Sequence, residues 1–313
     1  MPSPVISVMV PCYNAREFLA ECLDSIIAQN RDDMQIVVSD DCSTDGTQEV
    51  LRSYHEKYPD LIKAFYNTEN IGITRNCNQA LMACDGKYIS LFAGDDVMLP
   101  GKFDFQINFL ENNPDIVMTY HAVEVFDSTS GKTLFITNSS PRLDTNNVSS
   151  IIEKLGIAGP MSIVFRRSSM PKGGYDTAIT VASDWLFQIE IAATGKVAKL
   201  PGIWCRYRKH GVNNGKDLSA YKHEFVQTLE MVRERFAGRH EIVESCDVGM
   251  ARFKAGDAFR ELPVSRRSAR RLLGEALSHH FRLPYAAAYL ATWLPGIEGV
   301  AKAHKERLRR YLG

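Results

Sequence analysis

The sequence lacks a net charge: Lys+Arg and Asp+Glu both number 37. Global charge therefore gives no support for a nucleic-acid partner. The seven cysteines are odd in number, scattered and never spaced as CxxC. That argues against a disulfide framework or a zinc site and fits a reducing compartment. No GxGxxG follows the first apolar run, which disfavours a nicotinamide-dependent dehydrogenase. The start, MPSPVISVMVPCYN, shows neither the charged opening nor the cleavage site of a signal peptide. The most apolar late stretch, 283–297, holds two prolines and falls short of the ~20 residues that span a bilayer. These absences lead us to expect a soluble, cytoplasmic protein, with contact at the inner face of the plasma membrane left open.

What is present is ordinary globular composition, with 45% hydrophobic and 24% charged residues over 313 positions. That length suggests about two domains. Charge is unevenly placed. From Leu262 onward ten Lys/Arg face three acids, so the tail carries +7 and the rest of this neutral chain −7. A basic tail on an acidic body suggests an anionic partner for the tail.

Short apolar runs at 5–10, 34–38, 61–66 and 88–92 read as buried strands. Between them, 15–29, 44–58 and 73–83 carry a helical period. Strands alternating with helices at this spacing imply βαβ units and a parallel sheet. Further on we expect a helix at 102–112, a strand at 115–126 and a polar loop at 127–150. A short helix at 151–155 and a strand at 162–166 follow, then a helix at 183–193 and a strand at 197–207. From 218 the pattern is helical, broken near Gly238, Pro263, Pro284 and Pro295. In parallel sheets ligands bind beyond the carboxyl ends of the strands. Polar clusters sit at those ends here: Tyr13 and Asn14, Asp40 and Asp41, Asp95 and Asp96.

Five ordered blocks, ISVMVPCYNAREFLAECLDSIIAQ, IVVSDDCSTDGT, NIGITRNCNQAL, DGKYISLFAGDDVMLP and ASDWLF, resemble the inverting, nucleotide-sugar-dependent glycosyltransferases of family 2. The resemblance covers roughly the first two thirds of the chain. It implies an α/β chain with the GT-A fold, a Rossmann-like mixed sheet flanked by helices. That domain is expected at 1–215, with a basic helical extension at 216–313.

The resemblance further implies a nucleotide-diphosphate donor, UDP- or dTDP-linked, and a Mg²⁺ or Mn²⁺ ion. Pro11, Tyr13, Asn14, Asp41, Arg75 and Asp95 are then the nucleotide-binding residues, Asp41 accepting the N3–H of the base. The alternative for Asp40 and Asp41 is to cap the next helix. Asp95, with Asp96 assisting and His210 contributing, is expected to hold the metal. Ala93 stands where the family signature usually has its first acid. Asp184 is the general base, Ser183 replacing the acid that usually precedes it, and Trp185 is a wall for the acceptor. A saccharide or lipid-linked saccharide hydroxyl is the expected acceptor, in bacterial polysaccharide or O-antigen synthesis. The rival readings are a nucleotidyltransferase, disfavoured because VPCYNAREF is not a glycine-rich basic loop, and a non-catalytic glycan- or sugar-nucleotide-binding protein retaining the fold. The tail supports two readings, a solvated face on a helical bundle and an interfacial surface on an anionic membrane.

Overall fold

The computed structural model describes residues 3–139, 144–211 and 221–303. Part of the expected loop at 127–150, the start of the helical pattern at 218 and the basic residues beyond 303 lie outside them. The chain divides into two compact units: Met1–Val148 with Ile157–Phe225, and Ser149–Gly156 with Val226–Gly313.

The first unit is built on a mixed sheet, nine-stranded among the described residues. β1 (Ile6–Cys12), β2 (Met34–Asp40), β3 (Ile62–Tyr66) and β4 (Tyr88–Leu91) form its parallel half in the order β3-β2-β1-β4. Ile6, Val8 and Val10 on one face of β1 and Ser7 and Met9 on the other are buried, as are Ile36, Val37 and Val38 of β2, as in strands covered on both faces. α1 (Leu19–Ile27), α2 (Thr47–Lys57) and α3 (Ile73–Met82) are the crossovers. The chain moves outward from β1 to β3, then returns to pair β4 on the other side of β1. That reversal opens a crevice at the carboxyl ends of β1 and β4.

Beyond β4 the sheet is no longer purely parallel. β5 (Val97–Met98) leads to α4 (Lys102–Asn112), β6 (Ile116–Asp127) and β7 (Thr133–Ile136). β8 (Val164–Arg166) runs antiparallel to both β4 and β6. α6 (Ser183–Ala192) precedes β9 (Lys196–Lys209), which is parallel to β6 and antiparallel to β5. β7 falls where a loop was expected. Asp127 Oδ1 accepts the Ser130 N–H at 2.7 Å, and Gly131 takes φ 69°, closing a hairpin inside a polar stretch. All four β7 side chains are exposed, so no buried apolar run announces the strand.

α5 (Val148–Glu153) and α7 (Lys222–Arg235) cross the boundaries between the units. In the second unit α8 (His240–Glu261), α9 (Arg266–His279) and α10 (Leu283–Ala291) share a small core of Ala251, Ala255, Ala258, Leu272, Leu273 and Tyr285. Alanines on α8 let α9 approach closely. Ser265 caps α9 by accepting the Ser268 N–H, as a serine at an N-cap does. Among the described residues no helix is long and apolar enough to cross a membrane.

Candidate active site

A cavity of about 430 Å³ opens at the crevice between β1 and β4. Its walls come from the ends of four strands, His210 following β9, together with Phe18 before α1 and the start of α3. Pro11 to Ala15 follow β1, Asp41 follows β2, and Ala93 to Asp95 follow β4; Asn70, Gly72, Ile73 and Asn76 come from α3 and the turn before it. The segment after β4 stays close to β1, because the Gly94 N–H donates to the Pro11 carbonyl at 3.1 Å. Only glycine fits there: a Cβ on residue 94 would lie 2.7 Å from the Cys12 Cβ. Asn14 holds the adjoining loop in left-handed geometry, φ 48°, and its Oδ1 accepts the Thr44 N–H at 3.0 Å. Asparagine tolerates that conformation better than most residues. Tyr13 is 53% exposed at the cavity's rim, so its ring has a face free for a planar guest.

The two aspartates after β2 are held differently. Asp40 is fully buried, and its carboxylate accepts from the Ser43 N–H and hydroxyl and from Gln48 Nε2. It ties down the loop into α2 and does not line the cavity. Asp41 does line it. Its carboxylate accepts the Ile71 N–H at 2.8 Å, the Gly72 N–H at 3.0 Å and Asn67 Nδ2 at 3.2 Å. A negative charge is favoured there, at the amino end of α3. An ionised carboxylate offers about four acceptor sites. Three are taken, leaving capacity for one further donor.

Asp95 sits at the other end of the cavity with a partly exposed side chain, and His210 Nε2 lies 3.1 Å from its Oδ2. The His210 ring rests on Phe18, centroids 4.6 Å apart. Asp96 is fully buried. Its Oδ1 accepts the Arg208 N–H at 3.0 Å, while Oδ2 has no hydrogen-bond partner among the described residues. Burial and then the Asp95 charge push the Asp96 carboxyl well above its ordinary pKa, against the pull of Arg208. Arg208 is itself buried, giving its Nε to the Asp95 carbonyl at 2.9 Å and pairing with Glu21. Arg206 pairs with Glu124 at 3.0 Å.

A divalent ion fits this end of the cavity on one condition. Among the described residues no group of three or more His, Cys, Asp or Glu could hold a metal. Mg²⁺ and similar ions are held by one or two carboxylates together with substrate phosphates. Asp95 and His210 supply two protein groups, and a diphosphate in the cavity would complete the shell.

Asp184 is not among the residues lining the cavity. It stands in the first turn of α6, and that turn is joined to α3: Ser183 Oγ lies 2.9 Å from Thr74 Oγ1. The charges of Asp184 and Asp41 both reach the Cys77 thiol on α3, which burial chiefly pushes up to about 12. Burial also raises the Asp184 carboxyl above its ordinary pKa, opposed by the N–H groups of Trp185 and of Asp184 itself. A raised pKa makes a carboxylate a better proton acceptor. Trp185 is buried, its ring 5.5 Å from that of Phe225, so it offers no open wall to an acceptor. Arg75 is exposed and does not line the cavity. Of the expected site residues, Pro11, Tyr13, Asn14, Asp41, Asp95 and His210 meet at one cavity. Arg75, Asp96, Asp184 and Trp185 lie off its lining.

Two supporting residues were not anticipated from sequence. Asn76 is largely buried in the cavity lining, accepting from Ser39 Oγ at 2.6 Å and donating to the Ser39 carbonyl at 3.0 Å. Helical phase would have found it, since it lies three residues from Ile73 on the same face, whereas Arg75 turns away from both. Glu224, on α7, accepts the N–H groups of Thr180, Val181 and Ala182 and the Thr180 hydroxyl. It clamps the segment that launches α6. No local sequence pattern links it to residues more than forty positions earlier.

A mixed sheet wound both ways from β1, with carboxylates and an open aromatic face at its switch point, is the architecture of the GT-A glycosyltransferases. Residues 7–173 match the profile of Glycosyl transferase family 2, more than half the chain, and the protein belongs to that family. An uncharacterized protein of Mycobacterium tuberculosis is 29% identical over 250 residues, 75% of this chain and 70% of that one. A Bacillus subtilis protein named as a teichuronic acid biosynthesis glycosyltransferase, TuaG, is 35% identical over 107 residues, 34% of this chain and 42% of TuaG. Among solved structures, S. aureus TarS 1–349 superposes with a TM-score of 0.66 at 14% identity, covering 96% of this chain and 91% of that one. The mannosyltransferase PcManGT of Pyrobaculum calidifontis, solved with GDP-Man and Mn²⁺, gives 0.60 at 21% identity, covering 99% and 83%.

Proposed function

We propose that the protein is an inverting glycosyltransferase. It moves a sugar from a UDP- or dTDP-linked donor to a hydroxyl of a saccharide or lipid-linked saccharide, in bacterial polysaccharide or O-antigen assembly. The observation that carries this reading is the single cavity joining Asp41 to Asp95. A carboxylate with one spare acceptor site suits a base N–H at one end, and the Asp95–His210 pair suits a diphosphate at the other. Tyr13 offers a stacking face to the base or ribose, with Pro11 and Asn14 shaping the same wall. Arg75, exposed nearby on α3, is reserved for a donor that extends past the rim. Catalysis belongs to 1–215, and the helical region 216–313 is accessory.

In this reading Asp184 takes the proton from the attacking hydroxyl. Its raised pKa and its place on α6, joined to α3 through Thr74, support the role. Asp95 and His210 would hold Mg²⁺ or Mn²⁺, with the unpartnered Oδ2 of Asp96 assisting from the buried side. A bound divalent ion offsets the charge that grows on the leaving diphosphate. Trp185, buried against Phe225, supports the acceptor side by fixing α6.

The second reading, a binding protein that kept the fold, draws on Ala93 and Ser183 standing where the family signature has acids. Incubating the intact protein with a panel of nucleotide sugars and Mn²⁺ separates the two. Release of nucleoside diphosphate from one donor supports the transferase. Donor binding without release or transfer to any saccharide supports the other.

A further inference from the structure

α10 has two apolar faces and no charged residue. One face, Tyr285 with Ala288 and Tyr289, packs into the core of the second unit. The other carries Leu283, Ala287 and Leu290 at helical spacing, with Leu294 continuing the same row past the helix end. It is open: Leu283 is 73% exposed, Leu290 66% and Leu294 59%. Trp293 beside it is 60% exposed, held in place by the Arg270 guanidinium 3.5 Å from its ring centroid, and Phe281 is 68% exposed at the start of the row. A surface helix ordinarily turns polar side chains outward. Contiguous exposed apolar groups of this kind mark an interaction surface.

Charge identifies the occupant. On α9, Arg271 pairs with Glu275, and Arg266 approaches Glu298. Arg267 and Arg282 are exposed and make no ion pair among the described residues. Among the described residues the chain from Leu262 carries six Lys/Arg against two acids. A second copy docking face to face would bring two such basic surfaces together, which is repulsive. An anionic bilayer meets both demands. Its headgroups attract the arginines, and its acyl boundary takes in the leucines and Trp293, a side chain that favours that depth.

We propose that the outer face of α10, with Phe281, Trp293 and Leu294, docks the protein on an anionic membrane surface. The contact does not depend on the sugar-transfer reading, and it is read without activity. Full-length protein is sedimented with vesicles of phosphatidylcholine alone and of phosphatidylcholine with phosphatidylglycerol, at low and high salt. The variant Leu290→Ser/Trp293→Ala/Leu294→Ser is compared with Arg282→Glu. All four side chains are exposed, so melting temperature should hold. The proposal expects binding to the anionic vesicles only, weakened by salt, reduced at least tenfold in the triple variant and severalfold by Arg282→Glu. Absence of binding by the intact chain overturns it. So does equal binding by the triple variant, equal binding to neutral vesicles, or an intact chain that self-associates through this face while leaving vesicles free.

Discussion

The Glu224 carboxylate accepts the Ala182 N–H at 2.7 Å, one residue before the helix that carries Asp184 begins. With the N–H groups of Thr180 and Val181 also received, an α7 side chain fixes the start of α6. Glu224→Ala leaves these donors unpaired and should cost about 3 kcal/mol, read as a lower urea midpoint. Transfer should fall more than donor affinity, because Asp184 rides on the loosened turn. Burial raises the Glu224 pKa, but its hydrogen bonds prevail and hold it below 4.5. Its stabilising contribution is therefore complete above about that pH and is lost as pH falls through the lower folded value. Glu224→Gln should remove that acid-limb dependence.

Asp184→Asn keeps the size of the side chain and removes its ability to take a proton. Nucleoside diphosphate binding should be unchanged by calorimetry, while transfer drops by a factor of at least ~100. Transfer at the native rate would take Asp184 out of the base role.

At the other end of the cavity, chelating divalent ions with EDTA should stop transfer, with Mn²⁺ or Mg²⁺ restoring it. Asp95→Asn should raise the concentration of Mn²⁺ needed for UDP binding by tenfold or more, and His210→Ala should do so less. If both variants bind Mn²⁺ with UDP as the native protein does, the ion is held elsewhere.

Gly94→Ala places a Cβ 2.7 Å from the Cys12 Cβ. Relief requires β1 and the segment after β4 to separate. We expect a loss of about 2 kcal/mol in stability, together with weaker nucleotide binding, both measurable in one thermal-shift series with and without UDP.

Lys102 is buried in the core of the first unit with its ammonium on Ser90 Oγ at 2.9 Å. Burial lowers its pKa from 10.5 to about 8, partly offset by Cys205. Between those values the unfolded chain holds a proton that the folded chain does not, so folding is favoured as pH rises across that window. Below about pH 8 the cost of burying the charge is present in full, on the order of 3 kcal/mol. Lys102→Met should therefore raise stability at pH 7, and the gap to the native protein should narrow towards pH 10 in urea titrations.

Much of the fold was legible because its parallel half obeys local rules. The apolar runs that became β1, β2 and β4 are covered on both faces, and the helices between the strands repeat with a helical period. β7 and β5 escaped notice for opposite reasons. β7 has four exposed side chains, and β5 has only two residues. The cavity's main residues were legible as well, because Tyr13, Asn14 and Asp41 directly follow strand ends and Asp95 lies in the turn after β4. Arg75, expected at the nucleotide from the family resemblance, is exposed and off the lining, while its neighbour Asn76 faces the cavity, because successive helical residues point about 100° apart.

By itself the sequence determined the alternation of strands and helices, the family blocks, the placement of acids after strands and the basic tail. These depend on nearest neighbours along the chain. Tertiary structure alone decided which acids share a cavity. Asp41 and Asp95 meet there, while Asp40 is spent on a loop and Asp96 is sealed beneath Arg208. It also decided that Glu224 steadies the Asp184 turn and that α10 leaves one apolar face open. Each of these is a competition for hydrogen-bond donors or for buried area among segments far apart in the chain, and it is settled only when those segments are packed together.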